Sequence, residues 1–275
     1  MSILISADIG GSATKTAAYT TDGKLIGKSM VRLDDQVAAF YGAIGKLIEE
    51  ADITLPNVSE LVLTGVGAAA LTRNRYGIPV TLIPEFEAVG RGGLLLAGVS
   101  EAIVVSMGTG TSFVHANKDA CIHLGGSGIG GGTLLGLSHL LLKQSNVGTV
   151  AELAKNGDLT HADITIEDIS KGVVPGLPPH ATASNFGKAR SALPREDTAA
   201  ALINLVLQGI GSMAMLACRG RNLNTAVLTG SLAALPQAEA TYALFRELYG
   251  IDYILPADAE YATAFGAFAG RMARV

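Results

Sequence analysis

Short apolar runs separated by glycine turns open the chain and predict a strand-rich beginning. Ile3–Ala7 is apolar, Gly10-Gly11 forms a turn, and Thr14–Thr20 alternates apolar and polar residues as a second strand does. Apolar residues then recur three and four positions apart within Val37–Ala51, which predicts an amphipathic helix. The pattern that follows predicts a buried strand at Leu61–Leu63, a short helix around Ala68–Tyr76, a strand at Val80–Ile83 and a helix that begins near Pro84.

The same order of elements begins again near residue 101. Ala102–Met107 is an apolar strand, Gly108–Gly110 a turn and Thr111–Ala116 a second strand. The later elements are a glycine-dense loop at Gly125–Gly132, a helix at Thr133–Lys143, a long buried helix at Thr198–Ala217, a strand at Ala226–Leu228 and a closing helix at Ala262–Met272. The repeated unit of strand, glycine turn and strand predicts an α/β protein of two domains, residues 1–100 and 101–275.

Composition narrows the class of protein. Hydrophobic residues make up 49% of the 275 residues and charged residues 16%, a balance typical of a globular core and not of disorder. The net charge of −4, without a densely basic stretch, argues against nucleic acid as a partner. Cys121 and Cys218 each stand alone in apolar surroundings, as expected in a reducing cytoplasm. The N-terminus lacks a signal-peptide pattern, and the apolar run Leu134–Leu142 is too short to span a bilayer, so we expect no membrane partner.

The 34 glycines cluster at a few turns, and the first cluster carries candidate phosphate-binding chemistry. A strand delivers Asp8 to its end, and Gly10 and Gly11 follow, where bare backbone lets amide groups approach an anion. Ser12 adds a hydroxyl donor and Lys15 a mobile positive charge, while Asp8 is suited to hold Mg²⁺ through water. A Gly-Gly pair alone is equally typical of a plain hairpin turn. The combination of strand, carboxylate, glycines, hydroxyl and lysine favours phosphate.

Two later loops repeat this chemistry. Met107–Ser112 again combines a strand end, a glycine hairpin and clustered hydroxyls, so two hairpins could grip the β- and γ-phosphates of one nucleotide from both sides. Gly125–Thr133 precedes a helix, whose N-terminal amides and dipole favour anions. Within it, Gly126–Gly131 also fits the GxGxxG pattern of dinucleotide-binding proteins. Glu152 stands at the distance of the ribose-binding acidic residue, but in a helical pattern and not at a strand end, which weakens that alternative.

If the bound nucleotide donates a phosphate to a hydroxyl group, a base is needed to take the proton of that hydroxyl. Glu85 and Glu87 follow a strand at the start of a helix, and two residues apart they point to different sides. The pattern leaves open which of them faces a cleft, and whether either only compensates the helix dipole. Thr229–Ser231 closes a further strand with a turn that could meet adenosine or the α-phosphate, or could simply join strand to helix.

Taken in order, these segments resemble the actin-like ATPase and sugar kinase superfamily, and within it the type II (eukaryotic-like) pantothenate kinases. The matching segments are Asp8–Lys15 at the DxGGTxxK motif, Pro84–Glu87 at the E-[FL]-D motif, Gly108–Ser112 as G-T-G-T-S, Gly125–Gly136 as the glycine-rich loop, Thr182–Gly187 as T-A-[AS]-N-F-G, and Thr229–Ser231. They span nearly the whole chain, and the joint pattern is far more specific than any one segment.

The resemblance implies an α/β fold of two RNase H-like domains, with mixed sheets flanked by helices and a nucleotide cleft between the domains. It implies a homodimeric kinase that uses ATP and Mg²⁺ to phosphorylate a small molecule, pantothenate, in the first step towards coenzyme A. It assigns Glu85 as the general base. The residues expected at the nucleotide or its metal are Asp8, Gly10, Gly11, Ser12, Lys15, Gly108, Thr109, Gly110, Gly131, Gly132, Thr133, Leu134, Leu135 and Ser231. Those expected at the substrate are Ser112, His123 and Gly126.

One departure from the family pattern bears on the acceptor. Where the family has an arginine just before its glycine-rich loop, this chain has His123, and an imidazole cannot reproduce a bidentate guanidinium. Pantothenate is the leading acceptor, and an amino sugar or another pantothenate-like alcohol is the alternative. Two other classes stay open, a non-catalytic nucleotide-binding regulator and a nicotinamide-dependent oxidoreductase that uses the GxGxxG segment.

Overall fold

Within the described residues, two five-stranded sheets with the same strand order form the centre of the protein. The computed structural model describes residues 2–71, 73–190 and 192–274. The strands are β1 (Ile3–Ile9), β2 (Thr14–Thr20), β3 (Leu25–Val31), β4 (Val58–Thr64), β5 (Val80–Leu82), β6 (Glu101–Met107), β7 (Thr111–Asn117), β8 (Cys121–Ser127), β9 (Ile164–Thr165), β10 (Thr182–Ser184), β11 (Thr225–Thr229) and β12 (Asp252–Ile254). The first sheet has the order β3-β2-β1-β4-β5, the second β12-β11-β6-β7-β8, and β9 pairs with β10 separately.

Both sheets are mixed in the same way. The central strand β1 pairs antiparallel with β2 and parallel with β4, and β6 pairs antiparallel with β7 and parallel with β11. The carboxyl ends of β1 and β4, and of β6 and β11, therefore meet at one edge of each sheet, where parallel α/β sheets bind ligands. The two edges carry the glycine hairpins singled out in the sequence.

Helices cover both faces of each sheet. They are α1 (Gln36–Glu50), α2 (Glu85–Ala97), α3 (Gly131–Leu142), α4 (Val147–Ala154), α5 (Ile166–Ile169), α6 (Arg195–Gly220), α7 (Pro236–Tyr249) and α8 (Ala262–Met272). Short 3-10 turns occupy Leu55–Asn57, Val66–Ala70, Leu159–His161, Ser231–Ala234 and Ala259–Tyr261. The first sheet packs against α1 on one face and α8 on the other, while the second packs against α6 and α2.

Alternation along the central strands produces these layers, because successive side chains of a strand point to opposite faces. Along β1, Ile5 joins the core under α1 and Leu4 joins the core under α8. Along β6, Ile103 packs towards α6 and Val104 towards α2. Strands buried on both faces read as continuous apolar runs, which is why the sequence pattern located them.

Helices α2 and α8 touch each other backbone to backbone. A Cβ atom on Gly92 would overlap the carbonyl oxygen of Ala262, and one on Gly266 would overlap the carbonyl oxygen of Ala88. Only glycine allows this approach. α2 packs against the second sheet, and α8 packs against the first. The division of the chain after residue 100 stays a prediction.

Most predicted elements are confirmed, with two corrections. The helix expected over Val37–Ala51 is α1, and it begins after Asp35, whose carboxylate accepts from the amides of residues 37 and 38 at 2.9 and 3.0 Å. The helix expected around Ala68–Tyr76 is wrong. A 3-10 turn ends at residue 70, and Tyr76 and Gly77 both have positive φ, which breaks a helix. The predicted loop at Gly125 begins later, because β8 continues to Ser127.

The long helix α6 forms the centre of the second core. Its buried side includes Leu202, Val206, Leu207 and Ile210, which pack on the second sheet. By length and composition alone α6 could cross a bilayer, but 61% of its most apolar window is buried inside the protein. Burial of that kind is typical of a core helix.

Candidate functional site

The β1–β2 and β6–β7 hairpins face each other. The hydroxyl groups of Ser12 and Thr109, one from each hairpin and 97 residues apart in sequence, lie 2.8 Å from each other within hydrogen-bonding distance. Both side chains are exposed at this point. The structure therefore brings the two glycine turns, residues 10–11 and 108–110, close to each other.

A buried carboxylate lies at the root of the first hairpin. Asp8 and Lys15 are direct neighbours in the β1–β2 register, and their charged groups are 3.6 Å apart. Asp8 is only 8% exposed, and burial raises the pKa of its carboxyl while Lys15 lowers it. A buried carboxylate with one cation beside it has lone pairs left for a further positive group.

Gly65 supports Asp8 from the neighbouring strand, and the sequence reasoning missed it. With φ 90° and ψ 166° its backbone is in a region open essentially to glycine alone. A Cβ atom there would lie 2.6 Å from the carbonyl oxygen of Ile9 and 2.7 Å from Oδ1 of Asp8. The backbone at the end of β4 therefore packs directly against the Asp8 turn.

The second half repeats this arrangement at Gly230. Its φ and ψ are 87° and 179°, and a Cβ atom would lie 2.6 Å from the carbonyl oxygen of Met107. The segments Val62–Gly65 and Val227–Gly230 both read V-L-T-G, and each runs into a 3-10 turn. This short identity was a signal for Gly65 in the sequence. Ser231, expected at the nucleotide, begins the second of these turns.

The third glycine loop packs against the second hairpin. The amides of Gly131 and Gly132 donate to the carbonyl oxygens of Gly108 and Thr109 at 2.8 and 2.9 Å. The Thr133 hydroxyl donates to the carbonyl of Gly128 at 2.6 Å. The sequence reasoning expected free amides at this helix start, but these two hold the hairpin in place, so they stiffen the loop instead of presenting donors to an anion.

Two neighbouring positions on α3 differ in exposure. The side chain of Leu134 is fully buried in the second core, whereas that of Leu135 is half-buried. Any nucleotide contact at residue 134 would therefore have to come from its backbone.

The structure separates the two glutamates that the pattern left open. Glu87 pairs with Arg91 at 3.0 Å and with Arg274 at 2.7 Å, so its carboxylate is occupied. Glu85, the first residue of α2, is half-buried and faces the charges of the hairpin. Burial and the nearby carboxylate of Asp8 raise the pKa of Glu85, against smaller opposing effects of His123 and Lys15.

Phe86 and His123 form an aromatic pair beside Glu85. Their rings are stacked with centroids 3.8 Å apart and an interplanar angle of 4°. The other two residues expected at the substrate, Ser112 and Gly126, are partners in the β7–β8 register, on the same sheet as His123. The three expected substrate residues thus lie on two adjacent strands, and Phe86 is an addition that the sequence reasoning missed.

A buried polar network orders the T-A-S-N-F-G segment. Asp163 is fully buried and accepts from the backbone amide of Phe186 and from the side-chain amide of Asn204, both at 2.8 Å. Asn185 and Thr182 donate to the same carboxylate at 3.3 and 3.4 Å. Nothing in the spacing marked Asp163 as their common acceptor. A cavity of about 220 Å³ adjoins this network.

Comparisons with known proteins identify relatives along most of the chain. A family model described as Fumble matches residues 101–248. The chain is 34% identical over 213 residues to a type II pantothenate kinase of Oceanobacillus iheyensis, with 74% of each chain covered. It is 28% identical over 236 residues to a type II pantothenate kinase of Bacillus cereus, covering 82% of this chain and 83% of that protein.

A solved structure supports the fold. The activator of the 2-hydroxyisocaproyl-CoA dehydratase from Clostridium difficile, with bound ADPNP, superposes with a TM-score of 0.71 at 14% identity, covering 99% of this chain and 96% of that one. At that identity the likeness concerns the fold alone. With the two matching mixed sheets, it confirms the predicted α/β fold class of two domains of the actin-like ATPase type.

Proposed function

Because the chain belongs to the Fumble family and is similar to type II pantothenate kinases, we propose that it transfers the γ-phosphate of ATP to the hydroxyl of pantothenate, the first step of coenzyme A biosynthesis. One observation supports this more than any other. The 2.8 Å approach of the Ser12 and Thr109 hydroxyls supports a nucleotide cleft flanked by the two glycine hairpins, and Glu85 is near enough to the first hairpin for Asp8 and Lys15 to affect its pKa. A kinase needs that arrangement of donors and base.

The two hairpins would hold the terminal phosphates of ATP. Glycines at 10, 11, 108 and 110 let backbone amides approach the phosphate oxygens. The hydroxyls of Ser12 and Thr109, which now contact each other, can each turn to donate to a phosphate oxygen instead. Lys15 adds positive charge from β2. The Clostridium difficile activator binds ADPNP with the same fold, which agrees with this assignment.

The residues around Asp8 fit a magnesium ion held partly through water. The site offers oxygen donors, which Mg²⁺ prefers, and one buried carboxylate. In the part of the chain that the structure describes, the buried hydroxyl of Thr64, the β4 neighbour of Asp8, has no hydrogen-bond partner. Asp8 and Thr64 would hold the ion's water shell. When bound, the ion would neutralise charge on the transferred phosphate.

Glu85 would act as the general base. As the acceptor's oxygen forms its bond to the γ-phosphorus, the bond from that phosphorus to the β–γ bridging oxygen breaks, and ADP leaves. The hydroxyl proton passes to the Glu85 carboxylate. Desolvation and the charge of Asp8 raise the pKa of Glu85, which strengthens it as a base. Glu87 is unsuited to this role because two arginines hold it.

His123, Ser112 and Gly126 would line the acceptor side. A second candidate function, phosphorylation of another small alcohol in the same cleft, is favoured by one observation. His123 stacks on Phe86 where a guanidinium would grip a carboxylate from two points, and an imidazole offers only single hydrogen bonds. An acceptor that presents a hydroxyl or an amide instead of a carboxylate would fit this wall.

The proposed assembly is a homodimer in the cytoplasm. Exposed leucines on two contacting helices support a second copy as the partner, namely Leu140 and Leu141 on α3 and Leu216 on α6. Large apolar side chains exposed in a single copy are typical of surfaces that a partner covers. Light scattering of the purified protein tests this, and a monomer at all concentrations would contradict it.

The deciding experiment for the proposed function is a transfer assay. Purified protein with ATP, Mg²⁺ and pantothenate should yield phosphopantothenate and ADP in equal amounts. Glu85→Gln should abolish turnover while ATP still binds, and Glu152→Gln, a change of the same kind at an exposed glutamate on α4, should leave it unchanged. Turnover of another alcohol but not of pantothenate would favour the second candidate. Retained activity in Glu85→Gln would remove the base assignment.

A further inference from the structure

The penultimate residue of the chain touches both ends of the segment that carries Glu85. Arg274 Nη1 donates to the carbonyl oxygen of Leu82 at 3.4 Å, and its Nη2 pairs with Oε2 of Glu87 at 2.7 Å. Leu82 is the last residue of β5, and Glu87 lies in the first turn of α2. Glu85 stands between these two contacts. One guanidinium therefore bridges the strand end and the helix start that flank the proposed base.

The backbone that carries this guanidinium is held by α8. The helical hydrogen bonds continue past the end of α8, from the amide of Ala273 to the carbonyl of Ala269 at 3.0 Å and from that of Arg274 to Arg271 at 3.2 Å. α8 itself lies against α2 through Gly266, and at Gly270 a Cβ atom would be only 3.3 Å from Oε1 of Glu87. Arg274 is thus held near the start of α2.

The two side chains that follow Glu85 on α2 are held by contacts with other parts of the protein. Phe86 stacks on His123 of the second sheet, and Glu87 binds the arginines at 91 and 274. Side chains at adjacent helix positions point about 100° apart, so anchoring residues 86 and 87 fixes the direction of residue 85. Within the described residues Glu85 forms no ion pair of its own, so its direction depends on these neighbours.

We propose that Arg274 is a positioning residue for Glu85: it bridges Leu82 and Glu87 and so aims the Glu85 carboxylate into the cleft between the hairpins. This rests on the proposed function, in which Glu85 is the base. The Arg274 side chain is 44% exposed, and partly exposed ion pairs contribute little to stability. Catalysis is more sensitive, because a misplacement of about 1 Å can cost roughly 100-fold in rate.

Arg271 provides a matched control one turn earlier on the same helix. Its Nε pairs with Oε1 of Glu60 on β4 at 2.7 Å, the same ion-pair length that Arg274 makes with Glu87. Its partner lies outside the segment 82–87. Arg271→Gln therefore removes an ion pair of the same length near the end of α8 while both contacts of Arg274, with Leu82 and Glu87, stay in place.

The experiment compares Arg274→Gln, Arg274→Lys and Arg271→Gln in the full-length protein. In the transfer assay we expect Arg274→Gln to lower kcat by about tenfold with the KM for ATP unchanged, Arg274→Lys to recover part of the loss, and Arg271→Gln to keep the wild-type kcat. The second readout is the ¹³C titration of the Glu85 carboxyl, assigned with Glu85→Gln. Because the pKa of Glu85 depends on its burial and on the charges around it, a change in the direction of its carboxylate on loss of Arg274 should shift that pKa, and loss of Arg271 should not.

The outcomes separate the two proposals. An unchanged Glu85 titration in Arg274→Gln, or equal effects of Arg274→Gln and Arg271→Gln on kcat, would overturn the role of Arg274. If the wild-type protein transferred phosphate to no acceptor, the proposed function would fail, and the titration would still decide whether Arg274 sets the surroundings of Glu85. Thermal unfolding of each variant distinguishes misplacement from loss of the fold.

Discussion

The backbone contact between α2 and α8 predicts an unusually harmful glycine-to-alanine change. At most exposed helix positions this change stabilises a protein, because alanine is favoured over glycine in helices by about 1 kcal/mol. At Gly266 the added Cβ would overlap the carbonyl oxygen of Ala88 and lie 2.6 Å from the amide nitrogen of Gly92. Both are backbone atoms of a packed helix, so neither can move aside as a flexible side chain would.

The size of the effect follows from these two opposing contributions. Forcing a methyl group into a packed contact costs about 3 kcal/mol, at the upper end of the usual range. Against the gain in helix propensity of about 1 kcal/mol, Gly266→Ala should destabilise the protein by about 2 kcal/mol. For a chain of this size that lowers Tm by roughly 4–8 °C.

The assay is thermal and urea unfolding of Gly266→Ala beside a matched control. Gly45 is exposed within α1, and apart from the backbone of α1 itself no atom of the described residues lies within 4 Å of a Cβ placed there. Gly45→Ala should therefore raise stability by up to about 1 kcal/mol. If Gly266→Ala proved as stable as Gly45→Ala, the two helices could not be in backbone contact, and the account of how they are joined would be refuted.

Three further predictions concern the site and its supports. Gly65→Ala places a side chain in a backbone region open essentially to glycine, 2.7 Å from Asp8, so it should cost about 2–4 kcal/mol in urea unfolding, whereas a loss below 1 kcal/mol would contradict the close approach. The pKa of Glu85 is raised in the folded protein, so its ionisation opposes folding once the pH rises past the pKa of the unfolded chain. Glu85→Gln should therefore raise Tm above that of the wild type at pH 8 but not at pH 4. The same difference in Tm between variant and wild type at both pH values would count against a desolvated carboxylate. Asp163→Ala leaves the amides of Phe186 and Asn204 buried without their acceptor, so it should destabilise by about 3 kcal/mol or more, measured by the same unfolding.

The sequence was sufficient to predict the fold class and the family, both now confirmed by the comparisons. Mostly apolar runs located β1 and β6, because strands buried on both faces carry few polar residues. The turns at residues 10–11 and 108–110 were visible because glycines cluster where backbone must approach closely. The phosphotransferase class of the chain follows from its family and agrees with the prediction.

Other features depend on contacts between distant residues, which a single sequence does not encode locally. The α2–α8 contact depends on Gly92 of α2 and Gly266 of α8, which are far apart in the sequence. Neither Gly92 nor Gly266 differs in its local sequence pattern from an ordinary helix glycine. Choosing between Glu85 and Glu87 required the knowledge that Arg274, far along the chain, pairs with Glu87. The alanines of the 3-10 turn at Val66–Ala70 favour helix, which is why the pattern predicts one there, but the turn ends at residue 70 and Tyr76 and Gly77 have positive φ.

A crystal structure of the protein with a non-hydrolysable ATP analogue and Mg²⁺ tests the central claim most directly. The account predicts the γ-phosphate between residues 10–12 and 108–110, the Ser12–Thr109 contact opened so that both hydroxyls meet phosphate oxygens, and the Glu85 carboxylate facing the γ-phosphate across a gap for an alcohol. Phosphates bound outside this cleft, with the 2.8 Å contact intact, would contradict it.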